Sequence, residues 1–120
     1  PAYTALYSYS TADGAGGAVR LRGERVVVDA ALVGSEAYAR GSAGAVSLEA
    51  RDIELVTGGY VYSAVRPGAT GSAGPITLDA RNAITLTGAD WNGYASEVRS
   101  STDGPGAGAD IVLTGRNITV

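Results

Sequence analysis

Gly41-Ser-Ala-Gly-Ala-Val-Ser-Leu-Glu-Ala-Arg-Asp-Ile-Glu-Leu-Val56 is the stretch that decides the fold of this chain. Within it two apolar pairs, Val46-x-Leu48 and Ile53-x-Leu55, alternate with polar residues, the period of strands that bury one face. A glycine-led tetrad and one further residue precede the first pair. The same arrangement returns as Gly14-Ala-Gly-Gly-Ala-Val-Arg-Leu21, Gly71-Ser-Ala-Gly-Pro-Ile-Thr-Leu78 and Gly106-Ala-Gly-Ala-Asp-Ile-Val-Leu113. Each is followed by a second apolar pair: Val26/Val28, Ile84/Leu86 and Ile118/Val120. All sixteen aligned positions are Val, Ile or Leu. The motif begins at residues 14, 41, 71 and 106, so successive repeats are 27, 30 and 35 residues long. A fixed core joined by spacers of variable length is how a solenoid is written.

A helical reading fails, because glycine interrupts every window and no 3.6-residue stripe persists. The repeats therefore predict an all-β parallel β-helix, or β-solenoid, of about four coils. Each coil should carry three short strands, and residues 1–120 should form a single segment. Coils stack about 4.8 Å apart, so like residues should sit above like. The expected ladders are Val19/Val46/Ile76/Ile111, Leu21/Leu48/Leu78/Leu113, Val26/Ile53/Ile84/Ile118 and Val28/Leu55/Leu86/Val120. The third strand is less regular. The reading places it at Ala31-Leu32-Val33, Tyr60-Val61-Tyr62-Ser63 and Asp90-Trp91-Asn92-Gly93, with Tyr7, Val33, Tyr62 and Asn92 in one column and Leu6, Leu32, Val61 and Trp91 in the next. At the corner between the first two strands, Glu24/Arg51/Arg81/Arg116 form one expected column and Arg25/Asp52/Asn82/Asn117 another; Glu49 and Asp79 stand two residues before Arg51 and Arg81 and are expected to screen them. The glycines allow a sharp turn where a Cβ would obstruct it.

Composition fits this shape. Among 120 residues there are eighteen Gly, one Trp and no Phe or Met, a poor supply for a globular core. Small and β-branched residues suit stacked strands. The net charge is −3, all nine cationic residues are Arg, and no basic face emerges, so nucleic acid is not an expected partner. No Cys is present for a disulfide framework or a thiolate metal site, and no apolar stretch is long enough to cross a membrane.

The chain opens at Pro1-Ala-Tyr-Thr-Ala-Leu-Tyr-Ser8, which matches a third strand, and closes at Ile118-Thr-Val120, the end of a second. Joined tail to head, the two ends would complete the fourth coil at 28 residues, within the range of the others. Neither end carries a polar capping segment, and a bare solenoid end is an adhesive edge. Two expectations follow: a window from a longer β-helical protein, or units stacked end to end into a fibre. The expected partner is thus continuation of the same chain or further copies stacked end to end, with a Pro1 end against a Val120 end.

The repeats Gly41-Ser-Ala-Gly-Ala-Val-Ser-Leu-Glu-Ala-Arg-Asp-Ile-Glu-Leu-Val-Thr-Gly-Gly59 and Gly71-Ser-Ala-Gly-Pro-Ile-Thr-Leu-Asp-Ala-Arg-Asn-Ala-Ile-Thr-Leu-Thr-Gly88 resemble those of filamentous-haemagglutinin-type surface proteins, the large exoproteins of bacterial two-partner secretion. Through its four repeats the resemblance covers nearly the whole chain. It implies a right-handed parallel β-helix exported outside a bacterial cell, forming a shaft that carries adhesive or toxic regions elsewhere. No secretion domain of that family is recognisable here.

Catalytic chemistry is thin. There is no His to act as a base and no Cys nucleophile. Glu49 and Asp79 fall on one column and are the only acids placed like a polysaccharide-processing pair; their simpler role is a solvated partner of the Arg column. Gly106-Ala-Gly-Ala-Asp110 superficially matches a calcium-binding roll, but it occurs once in a repeat of the wrong length. No cofactor or metal is expected, and the leading expectation is a non-catalytic structural segment. The alternative is a carbohydrate-binding adhesin segment with surface glycans as partners. Its candidate contacts are Tyr62, Trp91, Arg66 and Arg99, the two arginines opening the loops Arg66-Pro-Gly-Ala-Thr70 and Arg99-Ser-Ser-Thr-Asp-Gly-Pro105.

Overall fold

Period-two apolar pairs bury one face of a strand, and repeating them every coil buries that face against its own copies. A computed structural model, which describes residues 4–120, shows the outcome: a parallel β-solenoid of four turns. A leading strand β1 (Thr4–Ser10) is followed by a first coil of β2 (Val19–Arg22), β3 (Arg25–Asp29) and β4 (Ala31–Ala37). The second coil holds β5 (Val46–Val56) and β6 (Tyr60–Val65), the third β7 (Ile76–Thr87) and β8 (Glu97–Thr102), the last β9 (Ile111–Thr114) and β10 (Asn117–Thr119). All pairs between these strands are parallel. One sheet runs β1-β4-β6-β8; the other runs β10-β7-β5-β2, with β3 on β5 and β9 on β7. In the two middle coils the first two strands are thus one bent strand, where three separate strands were expected.

Fifteen of the sixteen expected ladder residues are in register with their counterparts. The exception is Val120, which lies beyond β10 and is 88 % exposed. Leu48, Ile53, Leu55, Ile76, Leu78 and Ile84 are fully buried, each worth about 2 kcal/mol of transfer free energy. Val19, Val28 and Val46 are buried with them, and Leu21, Val26 and Leu113 pack against this core half-buried. Ile111 and Ile118, in the last coil, are exposed. The relation of Pro1 to Val120 lies outside the described residues.

Four expectations of register are corrected. The ladder Val28/Leu55/Leu86/Val120 stops at Leu86, because the pairing of β10 with β7 ends at Thr119 opposite Thr85. Leu86 is therefore level with Leu55 on one side and has no ladder partner in the last coil, although it stays within the core. The third coil carries one residue more at its corner, so Ala83 rather than Asn82 stands opposite Asp52 and Asn117. The third strand of the third coil is Glu97–Thr102, not Asp90-Trp91-Asn92-Gly93. Gly34 rather than Val33 is level with Tyr7 and Tyr62; Leu6, Val33, Val61 and Val98 form the inward column.

The third flank of each coil is the glycine tetrad. Its backbone bonds directly to the next coil: Gly16 N–H to Ser42 O at 2.9 Å, Ala43 N–H to Ser72 O at 2.9 Å, Ala73 N–H to Ala107 O at 3.0 Å. The glycines are there for proximity. A Cβ on Gly44 would stand 2.6 Å from the carbonyl carbon of Gly17, and one on Gly71 2.6 Å from that of Gly41. An inward serine column, Ser8/Ser35/Ser63/Ser100, ties this flank to the four-stranded sheet. Ser35 donates to Gly44 O at 2.6 Å, Ser63 accepts from Gly74 N–H at 2.8 Å, and Ser100 accepts from Ala109 N–H at 3.0 Å.

Candidate functional site

The two sheets turn different chemistry outward. The face of the six-stranded sheet carries exposed ion pairs between coils, Arg22–Glu49 at 3.3 Å, Arg81–Glu24 at 3.0 Å and Arg25–Glu54, together with Asn82 donating to Asp52 at 2.8 Å. Glu49 and Asp79 are level neighbours as expected. Glu49, however, serves Arg22, and the nearest acid to Arg51 is Asp52 at 3.8 Å. The screening partners are therefore Asp52 for Arg51 and Glu24 for Arg81, in place of Glu49 and Asp79. Exposed pairs of this kind contribute little each.

The face of the four-stranded sheet carries Tyr7, Tyr9, Tyr60 and Tyr62. Its outward columns are Ala5/Leu32/Tyr60/Glu97, Tyr7/Gly34/Tyr62/Arg99 and Tyr9/Glu36/Ala64/Ser101. Tyr60 and Tyr62 stack with centroids 4.9 Å apart and planes 16° from parallel. Tyr9 meets Tyr7 at 5.7 Å and Tyr38 edge-on at 6.4 Å. Tyr62 is only 5 % exposed, so as a contact residue it is corrected to a structural one. Its ring lies over Gly34, where a Cβ would come within 2.7 Å of Cζ.

Glu36, on the same outward-facing side of the sheet, is nevertheless buried. Its carboxylate accepts from the Tyr62 hydroxyl at 3.1 Å and also from Tyr38 and the Arg66 guanidinium. Burial pushes its pKa up, but the hydrogen bonds from Tyr38, Arg66 and Tyr62 and the charge of Arg66 outweigh it, leaving the carboxyl below the usual carboxylate value. Burial raises the pKa values of Tyr60 and Tyr62, with Glu97 and Glu36 adding to it. Both phenols therefore remain protonated at neutral pH. Arg66, expected as an exposed contact, is held as the partner of Glu36.

The third coil adds a wall to this face. Residues 88–96 join β7 to β8, where the first coil uses Ala30 alone and the second uses Thr57, Gly58 and Gly59. The insert is a small hairpin: Ala89 bridges Ala95 antiparallel, and Gly93 N–H reaches Asp90 O at 3.0 Å with Gly93 at φ +88°. The Asp90 carboxylate accepts from Asn92 N–H at 2.8 Å and Tyr94 N–H at 2.9 Å. At its base, Ser96 donates to Thr87 O at 2.7 Å and accepts from Gly58 N–H at 3.1 Å. Gly58 is needed there, since φ is +76° and a Cβ would stand 2.7 Å from that of Asp90. Trp91 and Tyr94 are 66 % and 71 % exposed on this hairpin. Between hairpin and sheet lies a groove of about 300 Å³, lined by Leu32, Gly58, Tyr60, Tyr94, Glu97 and Arg99 among others.

No family model, curated protein or solved structure matches this chain. The site must be read from its own geometry.

Of the four candidate contacts, Arg99 lines the groove and Trp91 stands exposed on the hairpin that walls it, while Tyr62 and Arg66 belong to the Glu36 cluster. Sequence reasoning missed Tyr60, Tyr94 and Glu97 as groove residues, and Glu36 altogether. The length of the third repeat was the available signal for the hairpin, because insertions in a repeat fold map to loops on one face. Neither Glu49 nor Asp79 lines the groove. Among the described residues, no three acidic side chains converge as a metal cage.

Proposed function

We propose that this chain is a non-catalytic structural section of an extracellular bacterial β-solenoid shaft or filament. The carrying observation is the continuous inter-coil register: fifteen aliphatic residues stacked over four coils, with the flank packed too closely for a side chain at Gly41, Gly44, Gly71, Gly74 and Gly106. Such a stack resists bending, because a tilt between coils opens the buried ladders and breaks backbone hydrogen bonds together. Its mechanism is then mechanical. The shaft holds loops and faces at fixed axial intervals of about 4.8 Å per coil. Export to the cell surface and membership of an adhesin-type exoprotein rest on the resemblance of the repeat motif to filamentous-haemagglutinin-type repeats. The partner in this reading is more of the same solenoid, from continuation of the chain or from further copies.

A tandem chain, with residue 120 of one copy joined to residue 1 of a second, tests the axial part. A shaft section should give one longer rod in small-angle scattering and a higher denaturation midpoint than the single chain, because nearest-neighbour interfaces add. Two beads on a string with the midpoint of the single chain would overturn it.

A further inference from the structure

We propose that the groove between the 88–96 hairpin and the four-stranded sheet is a binding site for a neutral pyranose, one ring of a glycan. The proposal goes beyond the shaft reading and does not depend on it. Three features carry it.

The first is construction. The groove exists because one coil has an insert, and that insert is held rigid from within by the Asp90 carboxylate and at its base by Ser96 and Gly58. A pre-formed wall spares a ligand the cost of ordering it.

The second is the lining. Leu32, Tyr60 and Glu97 form one axial column along the floor, and Tyr94 rises opposite on the hairpin. Tyr60 is fixed by its stack on Tyr62, so its ring is a rigid platform. A pyranose presents a face of C–H bonds that packs on such a ring and a rim of hydroxyls that both donate and accept. Glu97 supplies the acceptor and Arg99 the donors at the same rim, level with Tyr60 and Tyr62 respectively.

The third is charge. Glu97 and Arg99 stand 3.9 Å apart and offset each other. The third charged lining residue, Asp90, spends its carboxylate on the N–H groups of Asn92 and Tyr94 inside the hairpin, so the groove presents no unpaired charge, which favours an uncharged polar ligand over a phosphate, a carboxylate or an amine. At about 300 Å³ it sits at the small end of ligand sites, room for a ring and not for a long chain.

The test is ligand-observed and protein-observed NMR on the whole chain with methyl β-glucoside, methyl β-galactoside and N-acetylglucosamine. Glucosamine, N-acetylneuraminic acid and adenosine serve as cationic, anionic and planar comparisons. At least one neutral sugar should bind with a Kd near the millimolar range, about 1 mM, and should shift the ring signals of Tyr60 and Tyr94. Tyr94→Ala, at an exposed position that spares the fold, should weaken binding about tenfold, and Arg99→Gln should weaken it too. Tyr9→Ala, on the same face but away from the groove, should leave it unchanged. Failure of all three neutral sugars to bind, tighter binding of a charged sugar or of adenosine, or undiminished binding in Tyr94→Ala would overturn the proposal.

Discussion

Glu36 shows what one side chain does in a stacked fold. It belongs to the first coil, while Tyr62 and Arg66 come from the second, so its carboxylate fastens two coils through the face of the sheet. Its hydrogen bonds hold the folded pKa below the ordinary value of 4.5. The sign follows: the unfolded chain takes up the proton first as the pH drops. The contribution is complete above about pH 4.5 and fades as the pH falls toward the folded value. Urea unfolding of the wild type from neutral to about pH 3 should therefore lose stability below the ordinary carboxylate range. Glu36→Gln should cost about 1–2 kcal/mol at neutral pH, since the Arg66 side is partly solvated, and should flatten the acid limb. An acid limb identical in both proteins would show that Glu36 does not couple to folding. No sequence pattern announced this residue, because an outward position beside small residues looks solvated until Tyr62 and Arg66 of the next coil close on it.

At the scale of the element, the glycine flank and the serine column explain both what the sequence made plain and what it hid. Gly41, Gly71 and Gly106 recur because each coil's backbone lies against the carbonyl of the glycine one coil before. Reading them as sharp turns found the right residues for an incomplete reason. Gly44→Ala should destabilise the fold by about 3 kcal/mol through a clash with Gly17 that only backbone movement relieves. Gly14→Ala, with open space around its Cα, should change stability by less than about 0.5 kcal/mol. Equal urea midpoints for the two variants would refute close approach as the cause. The first two strands were legible because their inward residues are all aliphatic. The third strand was not, because its inward residues alternate an aliphatic with a serine: Leu6-x-Ser8, Val33-x-Ser35, Val61-x-Ser63, Val98-x-Ser100. That pattern is in the sequence, but buried serines break the apolar period that identifies a strand. In the third coil it was further obscured by Asp90-Trp91-Asn92-Gly93, whose turn residues form the hairpin. The groove was illegible for the same reason, since it depends on where an insertion lands in three dimensions.

For the whole molecule, stability is carried along one axis. Each coil packs on the coil before and the coil after, so an interior coil is held on both sides and a terminal one on a single side. The burial of equivalent residues reports this directly: Ile76 and Ile84 are fully buried, whereas Ile111 and Ile118, one coil further, are exposed. Leu86 stands at the transition, paired with Leu55 below and left without Val120 above. Such a stack should open from its ends rather than all at once. Native-state hydrogen exchange should then find the slowest amides in β5, β6 and β7, and the fastest among the strands in β1, β9 and β10. The hairpin wall of the groove springs from β7 and leads into β8, beside the protected middle, so its anchoring amides Gly58 and Ser96 should exchange more slowly than those of β10. A single protection level across all strands would mean that the coils unfold as one block, and the axial account of both rigidity and site placement would have to be abandoned.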